Sequence, residues 1–253
     1  MIVIPSSVIK AIAQPKQIII AGLPKTGKTT LAATIPDSLI LDLEDGCRYV
    51  DARAVRIETI DDLRDVVRQL REYKNKEGKP MVKRLVLDSV TKLEAMLENS
   101  ALERANRLFG KWDKDGNLVE GIKSLDAMAY GAGYNIRKEV VMDTLNLLQS
   151  VCETFVIIAH IVEKKMLKNG INIDEQVEAN YKCLDAKGKL GEALAQGADA
   201  LGMVYTKDNN TIGLSFKGGE DYRVSGCRMK DIAGKEIDII KDGKADWSAI
   251  FSK

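Results

Sequence analysis

The stretch "QIIIAGLPKTGKTTLAATI" (residues 17–35) decides the fold. "QIIIA" is apolar at nearly every position, the pattern of a strand covered on both faces of a sheet. "GLPKTGKT" (22–29) then fits the spacing G-x-x-x-x-G-K-[ST], and "TLAATI" continues as a helix-compatible run. In that order the three pieces make a phosphate cradle. Gly22 and Gly27 allow backbone angles that turn successive N–H groups inward at the N-terminus of a helix. The expected phosphate-binding loop is Gly22, Leu23, Pro24, Lys25, Thr26, Gly27, Lys28, Thr29 and Thr30. Lys28 would reach the outer phosphates of a bound ATP, and Thr29 would offer its hydroxyl to Mg²⁺. An ordinary glycine-rich turn is the alternative.

Around this unit, apolar runs of strand length alternate with segments of helical period. "SLILDL" (38–43), "AVRI" (54–57), "RLVLD" (84–88), "TFVIIA" (154–159) and "ALGMVY" (200–205) read as further strands. Helices are expected from Lys28, over Ile60–Tyr73 with Thr59 or Asp61 as cap, over Leu93–Arg107, and over Tyr134–Cys152. This alternation predicts a doubly wound α/β fold on a mainly parallel sheet. Past Asn210, "TIGLSF" and "YRVSGCRM" suggest a β-hairpin at the sheet edge, and "KADWSAIFSK" a short helix or a loose end. One domain over 1–253 is expected, with its core at about 15–230 and 231–253 as a tail. Two long connections, 108–133 and 161–189, interrupt the pattern; connections of that length are usually functional or mobile.

The carboxylates follow from where strands end. Asp88 closes "RLVLD" and is the natural second partner for magnesium, its alternative being an N-cap for the next helix. The residue after it is Ser89, not a glutamate that could activate water. "LILDLEDG" (39–46) supplies the missing acid. It leaves the sheet presenting Asp42, Glu44 and Asp45 at the strand end where ligands of open parallel sheets sit. Glu44 has the longer arm and is assigned to the attacking water, and Asp42 to support of the metal shell. A solvated acidic loop is the other reading.

The glycine loop, "LDLE" on the next strand and "LVLDSV" together resemble the RecA-type recombinase core. In that core the metal-binding aspartate precedes serine, and the catalytic glutamate lies on an earlier strand. "FVIIAH" (155–160) extends the likeness, which covers about residues 15–230 and makes His160 a sensor of the γ-phosphate. A lone histidine is otherwise most often structural. Length, the lack of an added N-terminal domain and "HIVEKK" resemble small phage-encoded, core-only AAA-type ATPases related to single-strand annealing and recombination proteins. That resemblance implies a Mg²⁺-dependent ATPase acting on single-stranded DNA as a ring or filament, with a single-strand-binding protein as a further partner. It also implies a cation donated across a subunit interface, for which Lys207, Arg223, Arg228 and Lys230 are candidates, "RMK" (228–230) best placed.

In such proteins the two long connections line a DNA groove. The first holds Arg104, Arg107, Lys111 and Lys114 around Phe109 and Trp112, and cations interleaved with rings suit unpaired bases and their phosphates. The rings could instead anchor the loop to the core or to a neighbouring subunit. The second has its lysines balanced by acids. It has no arginine, unlike the lid of a small-molecule kinase, so that reading ranks below an ATP-gated assembly module that hydrolyses little. Composition agrees with a folded chain: 253 residues, 45% hydrophobic, 30% charged. A net charge of +1 confines any nucleic-acid surface to a local patch. Four scattered cysteines and one histidine argue against a zinc site and for a cytoplasmic protein (the host cytoplasm for a phage-encoded one), and no apolar run would span a membrane.

Overall fold

A computed structural model of the protein describes residues 14–72, 78, 82–168, 177–208, 210–218 and 225–251. Tyr73 and Arg223, both named above, lie outside these residues, as do the side chains of 164–180.

In chain order, the first half contains β1 (Gln17–Gly22), α1 (Lys28–Ala33), β2 (Ser38–Asp42), β3 (Ala54–Arg56), α2 (Ile60–Glu72) and β4 (Arg84–Asp88). Then come α3 (Val90–Met96), α4 (Glu98–Phe109), β5 (Lys111–Trp112), β6 (Leu118–Glu120) and α5 (Ala132–Gln149). The second half adds β7 (Thr154–Lys168), β8 (Val177–Leu184), α6 (Leu190–Gly197), β9 (Ala200–Lys207) and β10 (Thr211–Ser215). β11 (Gly226–Cys227), β12 (Glu236–Lys241) and β13 (Lys244–Ala245) complete it.

The main sheet runs β13-β12-β10-β9-β1-β7-β4-β2-β3. Its six central strands, β9 to β3, are mutually parallel, and the additions at the β9 side are antiparallel. A mainly parallel α/β fold with an antiparallel C-terminal edge is therefore present. Alternate residues of the central strands feed two cores. Ile19, Leu41, Leu87 and Ile157 pack beneath α2, α3, α5 and α6. Ile18, Ile20, Ile40 and Val156 pack beneath α1 and the C-terminal segment. Burial of strand side chains on both faces is why these runs lack a polar alternation.

The structure corrects four expectations. The helix expected over 93–107 is two, α3 and α4, divided at Leu97. The 161–189 connection is not a loop: β7 continues past Ile161 and pairs antiparallel with β8, forming an arm, and α6 follows. Within 108–133, β5 and β6 form a small hairpin. The segment after 230 is no loose end, because β12 joins the sheet and Trp247, Ile250 and Phe251 are buried in the α1-side core. That core needs a lid, since α1 has only six residues.

Candidate functional site

Register brings the site together. In the parallel sheet Asp42 sits beside Asp88, and Gly22 sits beside His160. Asp88 is level with Ile158, two residues before His160, so the strand ends form a shallow step of about 7 Å along the carboxyl edge.

The glycine loop takes the form its sequence requires. Gly27 has φ +88°, a left-handed value that costs a glycine little, and Lys25 is also at positive φ. A Cβ on Gly22 would come within 2.7 Å of Thr26 Oγ1, which donates to the Leu23 carbonyl. Lys28 is buried, and its Nζ donates to the Gly22 and Leu23 carbonyls at 3.1 and 2.7 Å. Burial lowers its pKa, while Asp88 and then Glu44 oppose that shift. Leu23, Pro24 and Lys25 of the loop and Thr30 of α1 are exposed.

Thr29 Oγ1 donates to Asp88 Oδ2 at 2.7 Å, so the hydroxyl and carboxylate expected around magnesium are adjacent. Asp88 is buried, and burial pushes its carboxyl up, with Glu44 and Asp42 adding to that against the Thr29 hydrogen bond and Lys28. Gly46, which the sequence reading passed over, closes on the same pair. A Cβ there would lie 3.2 Å from Thr29 Oγ1 and 3.7 Å from Asp88 Oδ2. Cys47, next along, has its thiol pushed up to about 12 by burial and then by Asp42 and Asp88. This edge is crowded with negative charge.

Asp42 has a task that the sequence did not announce. Its Oδ1 accepts the Glu44 and Gly46 N–H groups at 3.1 Å, and its Oδ2 accepts Cys47 N–H at 3.0 Å. Arg56 stands 3.8 Å from it. A carboxylate so engaged shapes the turn after β2. Its effect is to set Glu44 over the site.

Glu44 itself, about a third exposed, meets two partners. The Ser89 hydroxyl donates to its Oε1, and His160 Nε2 lies 3.1 and 3.2 Å from its two oxygens. Since a carboxylate only accepts, the histidine donates from Nε2. His160 Nδ1 is buried with no partner among the described residues. The His160 hydrogen bond, then that of Ser89, holds the Glu44 carboxyl below the usual glutamate range against the opposing effect of burial. Ser89 is the second residue the sequence reading missed. It was noticed only as the absence of a glutamate, though its place directly after Asp88 puts it opposite the end of β2.

A family model described as an AAA domain matches residues 14–224. The chain belongs to the AAA-domain family. No curated protein matches it. Membership in the AAA-domain family implies a nucleotide-binding P-loop protein, and the site of this AAA domain fits that group. Among the described residues no cluster of three or more His, Cys, Asp or Glu could hold a metal alone. A hydroxyl and one carboxylate, all oxygen donors, suit Mg²⁺ carried in with phosphates. No described helix is long and apolar enough to cross a membrane.

The residues expected at nucleic acid lie elsewhere. Arg107, Phe109, Lys111, Trp112 and Lys114 occupy the end of α4 and the β5–β6 hairpin. Lys111 is paired with Glu120, and Arg104 with Asp143 and Glu139 at 2.8 and 3.1 Å. Phe109 and Trp112 remain 57% and 47% exposed, so neither is sunk into the core. Trp112 Nε1 donates to the Asn106 carbonyl, and the Asn106 amide group bonds the Ile122 backbone, which fixes the hairpin on α4. Of the second segment, Lys182 pairs with Glu163 at 3.9 Å. Arg228 donates to the Gln196 carbonyl, and exposed Lys230 follows it. The adjoining β11 pairs with Ala200 and Leu201, which are level with the start of β1. Arg228 thus lies at the opposite end of the sheet from its own glycine loop. Lys207 pairs with Asp238 at 3.1 Å.

Proposed function

We propose that the protein is a Mg²⁺-dependent ATPase that binds single-stranded DNA and supports annealing or recombination as a ring or filament. The observation that carries the hydrolytic part is Glu44. Presented by the turn after β2, it lies close enough to Lys28 of α1 and Asp88 of β4 to act on the charge of each. The absence of a glutamate at position 89 therefore does not leave the site without a base.

In this reading the loop amides and Lys28 hold the triphosphate, with the Lys28 ammonium exchanging its loop carbonyls for phosphate oxygens. Thr29 and Asp88 would hold Mg²⁺, which would supply charge neutralisation at the transferring phosphoryl group. Glu44 orients and polarises the attacking water, which requires that His160 release one carboxylate oxygen. His160, one strand over from the loop, then faces the γ-phosphate and reports its presence.

DNA binding is supported by two exposed rings beside Arg107 and Lys114, for which no acidic partner occurs among the described residues. The neutralised Lys111 and Arg104 make that surface one for stacking more than for charge. Arg228 and Lys230, remote from their own loop, suit a role at a neighbour's site in a head-to-tail assembly. A second reading, a slow ATP-gated assembly module, is favoured by the engagement of both Glu44 oxygens. The deciding experiment is the ATP turnover rate with and without single-stranded DNA across salt. Stimulation that fades with salt supports the DNA-dependent ATPase. No stimulation and no salt-sensitive binding supports the module.

A further inference from the structure

The contacts around Glu44 close into a circuit that leaves the nucleotide site and returns to it. Ser89 donates to Glu44 and caps α3, accepting the Lys92 N–H at 3.4 Å. Two residues along, Thr91 Oγ1 donates to the Asp185 carbonyl at 3.0 Å. The Asp185 N–H donates to the His160 carbonyl at 2.8 Å, and the His160 ring donates back to Glu44. One turn further, Glu94 accepts the Lys187 N–H with both oxygens at 3.2 Å. Thr91 and Glu94, spaced i and i+3, share a face of α3. Asp185 and Lys187 belong to the segment that follows directly as β8 returns from the arm.

Neither contact is needed to hold the arm's strands, which pair through their own ladder. Nor are they surface accidents: Glu94 is buried, and burial raises its carboxyl despite the Lys187 hydrogen bond. Their common effect is to fix the foot of the arm against the helix whose first turn holds Glu44.

We propose that Thr91 and Glu94 are positioning residues, joining the foot of the β7–β8 arm to α3 so that whatever engages the arm sets the stance of Glu44 toward water. The inference rests on Glu44 being the hydrolytic carboxylate. Movement of Asp185 by a bound partner would shift the His160 backbone and α3 together, changing both hydrogen bonds to Glu44 at once.

The test combines kinetics with amide hydrogen exchange, using the full chain, Mg²⁺ and a non-hydrolysable ATP analogue. Thr91→Val removes the hydroxyl at nearly constant shape, and Thr91→Ser restores it. Thr91→Val should lower kcat about tenfold with KM for ATP unchanged, and Thr91→Ser should recover most of that loss. The analogue should slow exchange over residues 22–29 in every variant, but over 185–187 only where the residue 91 hydroxyl is present. Wild-type kcat together with wild-type exchange at 185–187 in Thr91→Val would overturn the coupling. Absence of protection over 22–29 in the wild type would instead overturn the nucleotide reading, and the inference with it. Glu94→Gln, which keeps an acceptor, should behave as wild type; Glu94→Leu should reproduce Thr91→Val.

Discussion

The carboxyl edge of the sheet and the 108–123 segment were both marked out by charged residues, yet the structure treats them differently. At the edge, polar groups from β1, β2, β4 and β7 close on one another: Lys28 on its loop, Thr29 on Asp88, His160 and Ser89 on Glu44. On α4 and the hairpin that follows it, Arg104 and Lys111 are neutralised by acids while Phe109 and Trp112 stay in solvent. Strand ends in a parallel sheet inherit their positions from register, so residues far apart in sequence are forced into one place. A hairpin added outside the sheet is under no such constraint, and its residue types say little about which contacts they make.

Each side of that contrast can be broken. Lys28→Ala should lower steady-state turnover by about 10²–10³-fold, because among the described residues Lys28 is the one buried cation on the glycine loop. Asp42→Asn should lower the unfolding free energy by about 3 kcal/mol, read by denaturant titration, since one amide oxygen cannot serve the N–H groups of Glu44, Gly46 and Cys47. A stable variant with a raised Mg²⁺ requirement would return Asp42 to the metal shell. Trp112→Ser should weaken single-stranded DNA binding by about 1–3 kcal/mol. Folding stability should fall by no more than about 1 kcal/mol, the contribution of the Trp112 hydrogen bond to the Asn106 carbonyl. An unchanged affinity would make the hairpin a protein contact.

The smallest effect is on pH dependence. The Glu44 carboxyl is held down chiefly by His160, so its contribution to stability is complete above the ordinary glutamate value near pH 4.3 and is lost as pH falls through the lower folded value. His160→Ala should move that acid limb of stability and turnover upward. An unmoved limb would mean that the histidine does not govern the carboxylate.

How much was legible follows the same division. The strands β1, β2, β4 and β7 were found because burial on both faces leaves an unmistakable apolar run, and the glycine loop because its spacing is set by phosphate geometry. The position of Glu44 at this edge followed from strand ends alone. The turn-shaping contacts of Asp42 were not foreseen, because a sequence shows which acids lie at a rim but not which of them backbone N–H groups will claim. The arm was read as a loop because "EKKMLK" carries the charges of a solvated segment and shows no regular apolar alternation. The C-terminal segment looked detached because Trp247 and the pair Ile250–Phe251 are too short an apolar group to mark an element. Their burial answers to the short α1, which the tail's own sequence does not reveal.

The most direct test of the account is Glu44→Gln, measured for ATP binding and for single-turnover hydrolysis. The account predicts binding like that of the wild type, with hydrolysis slowed by about 10²–10⁴-fold, because an amide keeps the shape of the side chain but cannot accept the water's proton. Hydrolysis at the wild-type rate by this variant would contradict it.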